Sequence, residues 1–463
     1  MLLKNKLEKI KESLGNDNVL AKLEERYCYS TDASNNKHEA QIPDLVVFVQ
    51  TVEDVQKVLK HANKYKIPII PRGAGTNMVG ACVCEKKGII LNFSKMNKIL
   101  EINPTNLYAK VQPGVILGDL KSAVEKLNLF YPPDPSNFKV STIGGSIAQS
   151  SGGAQAFKYG TTKDYIISLT IVTADGKILK LGSDTQKESV GYHLNQLMIG
   201  SEGTLGIVVE ATLKLIPKPE SNAILIAGYE NSKNLLSDVN KIITSNIFPA
   251  AIDFMDKNAI KTSEAFNTIG IPQNIEYLLI VQFDGDKNSL KFQEEKNKHI
   301  FNNSNNMFYE FSDNKERIEE LWNARRTSYA ATTRLAPDVI SDDIIVPQDK
   351  IEKMLDICND VTKKYNLNLC LVGHIGNGNL HPQIALDTTN EQEYRNYLDA
   401  KSEIYSNVVK LGGSISAEHG IGIDKLNYFE NIMDKDTLNY MKMIKRIFDP
   451  NNILNPGKIF KQD

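Results

Sequence analysis

The chain has 463 residues, with 54 Lys and Arg against 56 Asp and Glu, seven His and five Cys. At roughly 100–200 residues per domain this length predicts two or three domains and enough chain to bury a large core around a big ligand. A formal net charge of −2 excludes a strongly basic footprint and with it nucleic acid as a partner, while 41% hydrophobic and 24% charged residues describe a globular chain, not a disordered one.

The N-terminus, MLLKNKLEKIKESL, is charged every few residues and lacks the apolar stretch of a signal peptide. No apolar run approaches the roughly 18 residues of a membrane span, so no transmembrane segment is expected. The cysteines (Cys28, Cys82, Cys84, Cys358, Cys370) are odd in number and form no CxxC pair. They point to a reducing compartment and away from a disulfide framework or a cysteine-ligated iron–sulfur cluster. A cytoplasmic protein, or one peripheral to the membrane, is the expectation.

In chain order, residues 1–40 read as a helical arm. Leu45 to Val49 is an apolar, β-branched strand, and Thr51-Val-Glu-Asp54 is a capping box that opens a helix carrying Val55, Val58, Leu59 and Ala62 on one face. That helix stops before Pro68. A short extended segment, 67–71, leads into the glycine-rich loop 72–80. Strands follow at 88–91 and 108–111, then a helix near 117–127. Pro217-Lys-Pro-Glu-Ser-Asn222 reads as a linker and places a boundary between a domain at 41–218 and one at 219–410, with 411–463 as a separate C-terminal segment. The second region mixes strands (223–228, 277–283, 369–372) with amphipathic helices (231–245, 350–365, 391–411), and an Asn-rich loop tip is expected at 301–306. A helix near 436–448 precedes the terminal Asn455-Pro-Gly-Lys458.

Three glycine- and hydroxyl-rich turns stand out. The first, Pro71-Arg-Gly-Ala-Gly-Thr-Asn77 with Gly80, follows a strand and suits close approach of backbone N–H groups to phosphates. It has neither the Rossmann GxGxxG spacing nor a Walker lysine. By itself such a loop is more often a tight turn. The second runs from Pro135-Ser136 through Thr142, Gly144, Gly145, Ser151, Gly152 and Gly153 to Tyr159-Gly160. The third is Gly200-Ser-Glu202-Gly203-Thr-Leu-Gly206, followed by the strand residues Ile207 and Val208.

In order and spacing these turns resemble the flavin-binding half of the vanillyl-alcohol oxidase/p-cresol methylhydroxylase family. The resemblance runs over nearly the whole chain and includes Asn455 in the terminal NPGK. It implies an α+β fold: a two-subdomain FAD-binding domain of the p-cresol methylhydroxylase type over 41–218, an α+β cap (substrate) domain over 219–410, and a C-terminal helical segment, 411–463, that completes the active site. It also implies that the residues named in the three turns, with Ala74, Thr76 and Asn455, hold FAD. Residues 71–80 and 131–160 contain no His or Cys to tether a flavin, and Cys82 and Cys84 read as small residues at a loop-to-strand junction. Non-covalent FAD is expected.

His374, His381 and His419 fall in the last quarter, each beside glycines. Gly373-His-Ile-Gly-Asn-Gly-Asn-Leu-His381 follows an apolar strand, and Glu418-His419 sits in Ser414-Ile-Ser-Ala-Glu-His-Gly-Ile-Gly422. A divalent metal takes two imidazoles, a carboxylate and an open position for substrate, so His374, His381 and Glu418 are candidate ligands for Zn, Fe or Mn. His419 is then available as a base, since an imidazole titrates near about 6.5. Isolated histidines of this kind are more often hydrogen-bonded structural residues.

The wording of these loops resembles the FAD-linked D-2-hydroxyacid dehydrogenases, which include D-lactate dehydrogenase, the glycolate oxidase catalytic subunit and D-2-hydroxyglutarate dehydrogenase. That resemblance implies metal ligands at His374, His381 and Glu418, a base at His419, and substrate contacts from Asn379, Arg325 and Arg334. Ser341-Asp-Asp-Ile-Ile-Val-Pro347 lacks the lysine that D-2-hydroxyglutarate members carry there, which favours a monocarboxylate. D-lactate is expected first and glycolate next, oxidised by hydride transfer to flavin N5. Implied partners are the 2-hydroxy acid and an electron-transferring flavoprotein, with a quinone or an iron–sulfur subunit as alternative acceptor, and a homodimer as the assembly. A flavin transferase of the alkyl-dihydroxyacetone-phosphate synthase type ranks behind, because it carries a histidine run where Glu418-His419 stands. A non-catalytic electron-relay subunit would lack the His/Glu set.

Overall fold

The structure, a computed structural model, describes residues 2–35 and 40–461. The described chain divides into two compact units. One takes in the chain up to Ser151, Thr161–Lys218 and the segment from Glu418 onward; the other takes in Gly152–Gly160 and Pro219–Ala417.

In the first unit, a four-stranded sheet begins where apolar runs alternate with a capped helix. Leu45–Phe48 and Ile69–Arg72 both run parallel to Ile89–Asn92, and Val19–Leu20 adds antiparallel to Leu45–Phe48. The connecting helix, Val52–Tyr65, is opened by the expected capping box: Thr51 Oγ1 accepts the Asp54 N–H and Asp54 Oδ2 accepts the Thr51 N–H, both at 3.1 Å. Such a cap contributes about 1 kcal/mol. Val55, Val58, Leu59 and Ala62 are buried on the sheet together with Ile453 and Leu454 of the C-terminal segment, and Leu454 bridges Ile69. A second, antiparallel sheet has the order Ile99–Asn103, Tyr108–Val111, Ile207–Lys214, Ile166–Val172, Ile178–Leu181. Half of the expected linker is strand: Pro217 belongs to Ile216–Pro217, which pairs with Leu129–Phe130, and Ser221 and Asn222 open the strand Ser221–Tyr229.

The second unit is built on an antiparallel sheet. Its path runs Phe308–Ser312, Ser221–Tyr229, Tyr277–Gly285, Ala251–Asp256, Asn368–His374, Asn379–Leu386, Asp338–Ser341, and Ile344–Ile345 also pairs with Asn379–Leu386. The helices Ser232–Ile243, Ile351–Lys364 and Glu391–Lys410 lie within two residues of their expected bounds. The expected loop tip at 301–306 begins later, because the helix Lys287–Asn302 runs on to bury Phe301. The strand Ala251–Asp256 and the helices Lys257–Phe266 and Lys315–Arg326 complete the frame around Ile280, Trp322 and Val372.

Candidate active site

Strand register assembles the site in the second unit. Val372 pairs with His381 and His374 with Asn379 across the tight turn at 375–378. Side chains alternate along a strand, so His374, Asn379 and His381 share one face of the sheet. The two imidazoles are 5.2 Å apart, centroid to centroid, at 82°. On the other side Phe254 pairs with Gly373, and one step along that register brings Asp253 opposite His374.

Asp253 is fully buried and is the residue that sequence reasoning missed. Its Oδ1 lies 2.8 Å from His374 Nδ1 and its Oδ2 lies 2.8 Å from Arg325 Nε on the helix Lys315–Arg326. Burial pushes the carboxyl up, but His374 and Arg325 outweigh it and hold Asp253 below its usual range, so it stays ionised. A carboxylate only accepts, so His374 Nδ1 carries the proton, and in the neutral ring Nε2 presents its lone pair. His381 Nδ1 likewise faces the Asp342 carbonyl at 3.3 Å. Two imidazoles oriented through Nδ1 by protein oxygens form the donor arrangement that suits a divalent metal. The signal for Asp253 was a charge inside the apolar run Ala251-Ile-Asp-Phe-Met.

Asp343, also fully buried, organises the neighbouring turn. It accepts Asn379 Nδ2 at 2.8 Å, Ser416 Oγ at 2.9 Å and the Ala417 N–H at 2.8 Å. Asn379 Nδ2 also donates to the Ile344 carbonyl. Both amide protons are thereby committed, and Oδ1 is left buried without a donor among the described residues. Glu418 is one peptide bond beyond the anchored Ala417. Arg334 lies elsewhere: it is exposed, stacks over Phe266 at 4.6 Å and donates to the Ala265 carbonyl. The structure gathers Arg325, His374, Asn379 and His381 and leaves Arg334 out.

In the first unit the three glycine-rich turns meet at backbone distance. A Cβ on Gly73 would overlap Thr142 Oγ1, and one on Gly203 would overlap the Pro71 ring. Thr142 caps the helix Ile143–Gln149 by accepting the Gly145 N–H, and Gly144 packs on Pro113, where a Cβ would come within 2.7 Å. Gly75 has φ +76, and its missing Cβ makes room for Arg72, whose Nη1 donates to the Thr31 carbonyl at 2.8 Å. Ala74, Thr76 and Gly80 complete that loop. Asn77 Oδ1 accepts the N–H groups of Val79 and Ala81. Asn455 Nδ2 donates to the carbonyls of Ala81 and Glu202, tying the C-terminal segment to two of the turns. Gly206 closes on Ile171, and Ile207 and Val208 begin the strand that leaves it. Pro135, Ser136 and Ser151 belong to this unit as well. Gly152, Tyr159 and Gly160 belong to the second, where Tyr159 Oη and Lys158 Nζ both bond the buried Asp284.

Turns stripped of Cβ atoms suit a dinucleotide pressed against the backbone. Lys458 adds a buried ammonium with no acceptor among the described residues. Burial lowers its pKa, while Glu85, Cys84 and Glu202 oppose that shift. The Cys82 and Cys84 thiols are pushed up to about 12 by burial, so neither is a thiolate at neutral pH.

Comparison with known proteins decides the family. A model of the FAD binding domain matches residues 43–182, and a model described as FAD linked oxidases, C-terminal domain, matches residues 218–459. The chain belongs to the FAD-linked oxidases. Among relatives of this FAD-linked oxidase, the glycolate oxidase subunit GlcD of Bacillus subtilis (strain 168) is 39% identical over 463 residues, covering 100% of this chain and 98% of the relative. A D-lactate dehydrogenase of Anaerostipes hadrus is 36% identical, covering 90% of this chain and 89% of the relative. The fold matches p-cresol methylhydroxylase, solved with substrate bound, at TM-score 0.83 and 18% identity, over 99% of this chain and 96% of that one. The protein is therefore an FAD-linked oxidoreductase of the glycolate oxidase, D-lactate and D-2-hydroxyglutarate dehydrogenase kind, with an FAD-binding domain and a C-terminal domain.

Proposed function

We propose that this FAD-linked oxidase oxidises a D-2-hydroxy acid, D-lactate first and glycolate next, to the 2-oxo acid. The observation that carries the reading is the Asp253 carboxylate, which holds Arg325 and His374 together on one face of the sheet. Arg325 binds the substrate carboxylate. His374, His381 and Glu418 hold a divalent ion (Zn, Fe or Mn), which when bound supplies Lewis-acid polarisation of the substrate hydroxyl. Asn379 Oδ1 accepts a hydrogen bond from the substrate. An imidazole nitrogen of His419 takes the hydroxyl proton. FAD, held non-covalently by the three turns, supplies a hydride acceptor when bound. The inert Cys82 and Cys84 support the absence of a tether.

Electrons then pass to a partner, with electron-transferring flavoprotein favoured over a quinone or an iron–sulfur subunit. Among the described residues no helix is long and apolar enough to cross a membrane, and the five cysteines are free. Both findings support a cytoplasmic enzyme that hands its electrons to another protein. The test is steady-state oxidation of a panel (D-lactate, L-lactate, glycolate, D-2-hydroxyglutarate) with an artificial acceptor, beside metal analysis of the purified protein. D-lactate turnover that tracks metal content supports the reading. A metal-free protein with full activity, or a preference for the dicarboxylate, overturns it.

A further inference from the structure

The segment that carries His419 has no regular secondary structure from Glu418 to Ile421, yet it is strapped to the flavin-binding turns inside the first unit. Glu202, 3% exposed, accepts the Ile421 N–H at 2.6 Å and the Gly422 N–H at 2.9 Å. Its own backbone is held in turn: the Glu202 N–H donates to Ala148 and the Glu202 carbonyl accepts from Asn455. Glu202 adopts φ 51, a conformation that a non-glycine residue occupies only where its surroundings impose it. Asn77 Nδ2 reaches the His419 carbonyl at 3.4 Å, and the Val79 carbonyl accepts the N–H groups of Ile423 and Asp424. Gly420 and Gly422 both have positive φ, and Cβ atoms there would strike Gln149 and the Val79 carbonyl.

We propose that Glu202 is a positioning residue for His419: its carboxylate fixes the Ile421–Gly422 turn, and through it the imidazole two residues earlier, on the flavin-binding unit. The proposal rests on the reading of His419 as the base. It assigns Glu202 a part in chemistry as well as in holding the cofactor. The charges that face the carboxylate are Lys458 and Lys425, beside the two amides. Glutamine keeps one acceptor but turns an N–H towards backbone amides that need an oxygen.

The test uses the full FAD-loaded chain with Glu202→Gln, Glu202→Asp and His419→Ala. Amide hydrogen exchange of the peptide spanning 419–424 reports the strap independently of activity, FAD titration reports cofactor affinity, and anaerobic stopped-flow reports flavin reduction by D-lactate. In Glu202→Gln, faster exchange at 419–424, an unchanged KM and, at saturating FAD, a limiting reduction rate lower by about 10- to 100-fold are expected, the loss typical of a reacting group misplaced by about 1 Å. Glu202→Asp, which restores the charge, should recover part of the rate. A wild-type rate in Glu202→Gln beside a slow His419→Ala overturns the role of Glu202 alone, as does a loss of FAD affinity with unchanged exchange. A wild-type rate in His419→Ala overturns the base assignment itself.

Discussion

Asp253 and His374 lie 121 residues apart in sequence and 2.8 Å apart in space, on neighbouring antiparallel strands, with the Asp253 carboxylate accepting from Nδ1 of the imidazole. The same carboxylate pairs with Arg325, so one buried charge sets the orientation of a histidine and an arginine. An unpaired charge would be strongly unfavourable in that setting, which makes the arrangement rigid.

Asp253→Asn should therefore damage two functions at once. It leaves Arg325 buried without its counter-charge, a loss of about 3–5 kcal/mol for a broken buried pair, visible as a lower denaturant midpoint. It also replaces the charged, acceptor-only carboxylate that fixes the His374 tautomer with a neutral amide that can turn either its oxygen or its N–H to Nδ1, so metal affinity should fall by about 10- to 100-fold. Asp253 has a depressed pKa in the fold, so its stabilisation is present above the unfolded carboxylate value of 3.8 and is lost as pH falls through the folded value. The variant should show a flatter acid limb of unfolding.

Arg325 and Arg334 should separate cleanly. Arg325→Lys keeps the charge but loses the planar fork, and KM for the hydroxy acid should rise by about tenfold or more, since hydrogen bonds to charged groups are worth about 1.5–3 kcal/mol. Arg334→Ala removes an exposed side chain stacked on Phe266, and steady-state kinetics should show little change.

His374→Ala and His381→Ala should each purify with FAD but without stoichiometric metal, as elemental analysis would show. Chelation of the wild-type protein should abolish turnover while leaving the flavin spectrum in place, and added divalent metal should restore activity.

Gly73→Ala places a methyl against Thr142 Oγ1 where two turns of the flavin-binding unit meet. The variant should purify with a reduced flavin-to-protein absorbance ratio and a lower affinity in FAD titration.

Glu202 gives stability a pH dependence of the opposite sign to Asp253. Burial raises its carboxyl from an ordinary 4.5 to about 7, partly offset by the Ile421 and Gly422 amides. A raised folded value means that the protonated group's contribution is fully present below about 4.5 and is lost as pH rises through about 7. Unfolding titrations across that window should show a shallower decline with rising pH in Glu202→Gln than in the wild type.

Much of this was legible locally. The capped helix Val52–Tyr65 and the strand Tyr108–Val111 follow from periodicity, and the two histidines flank a glycine turn that the sequence displays. The pairing of Asp253 with His374 and of Glu202 with the Ile421 amide was not legible, because each depends on a partner more than a hundred residues away that only strand register or loop packing supplies. Arg334 shows the converse: the resemblance implied a substrate contact there, while the chain just past the helix Ser328–Thr332 sets the side chain over Phe266.

The most direct test of the central claim is anaerobic mixing of the FAD-loaded protein with D-lactate. Rapid bleaching of the oxidised flavin with formation of an equivalent amount of 2-oxo acid is expected, slowed greatly in His419→Ala. A flavin that stays oxidised in the presence of both D-lactate and glycolate, in protein that retains its metal, would contradict it.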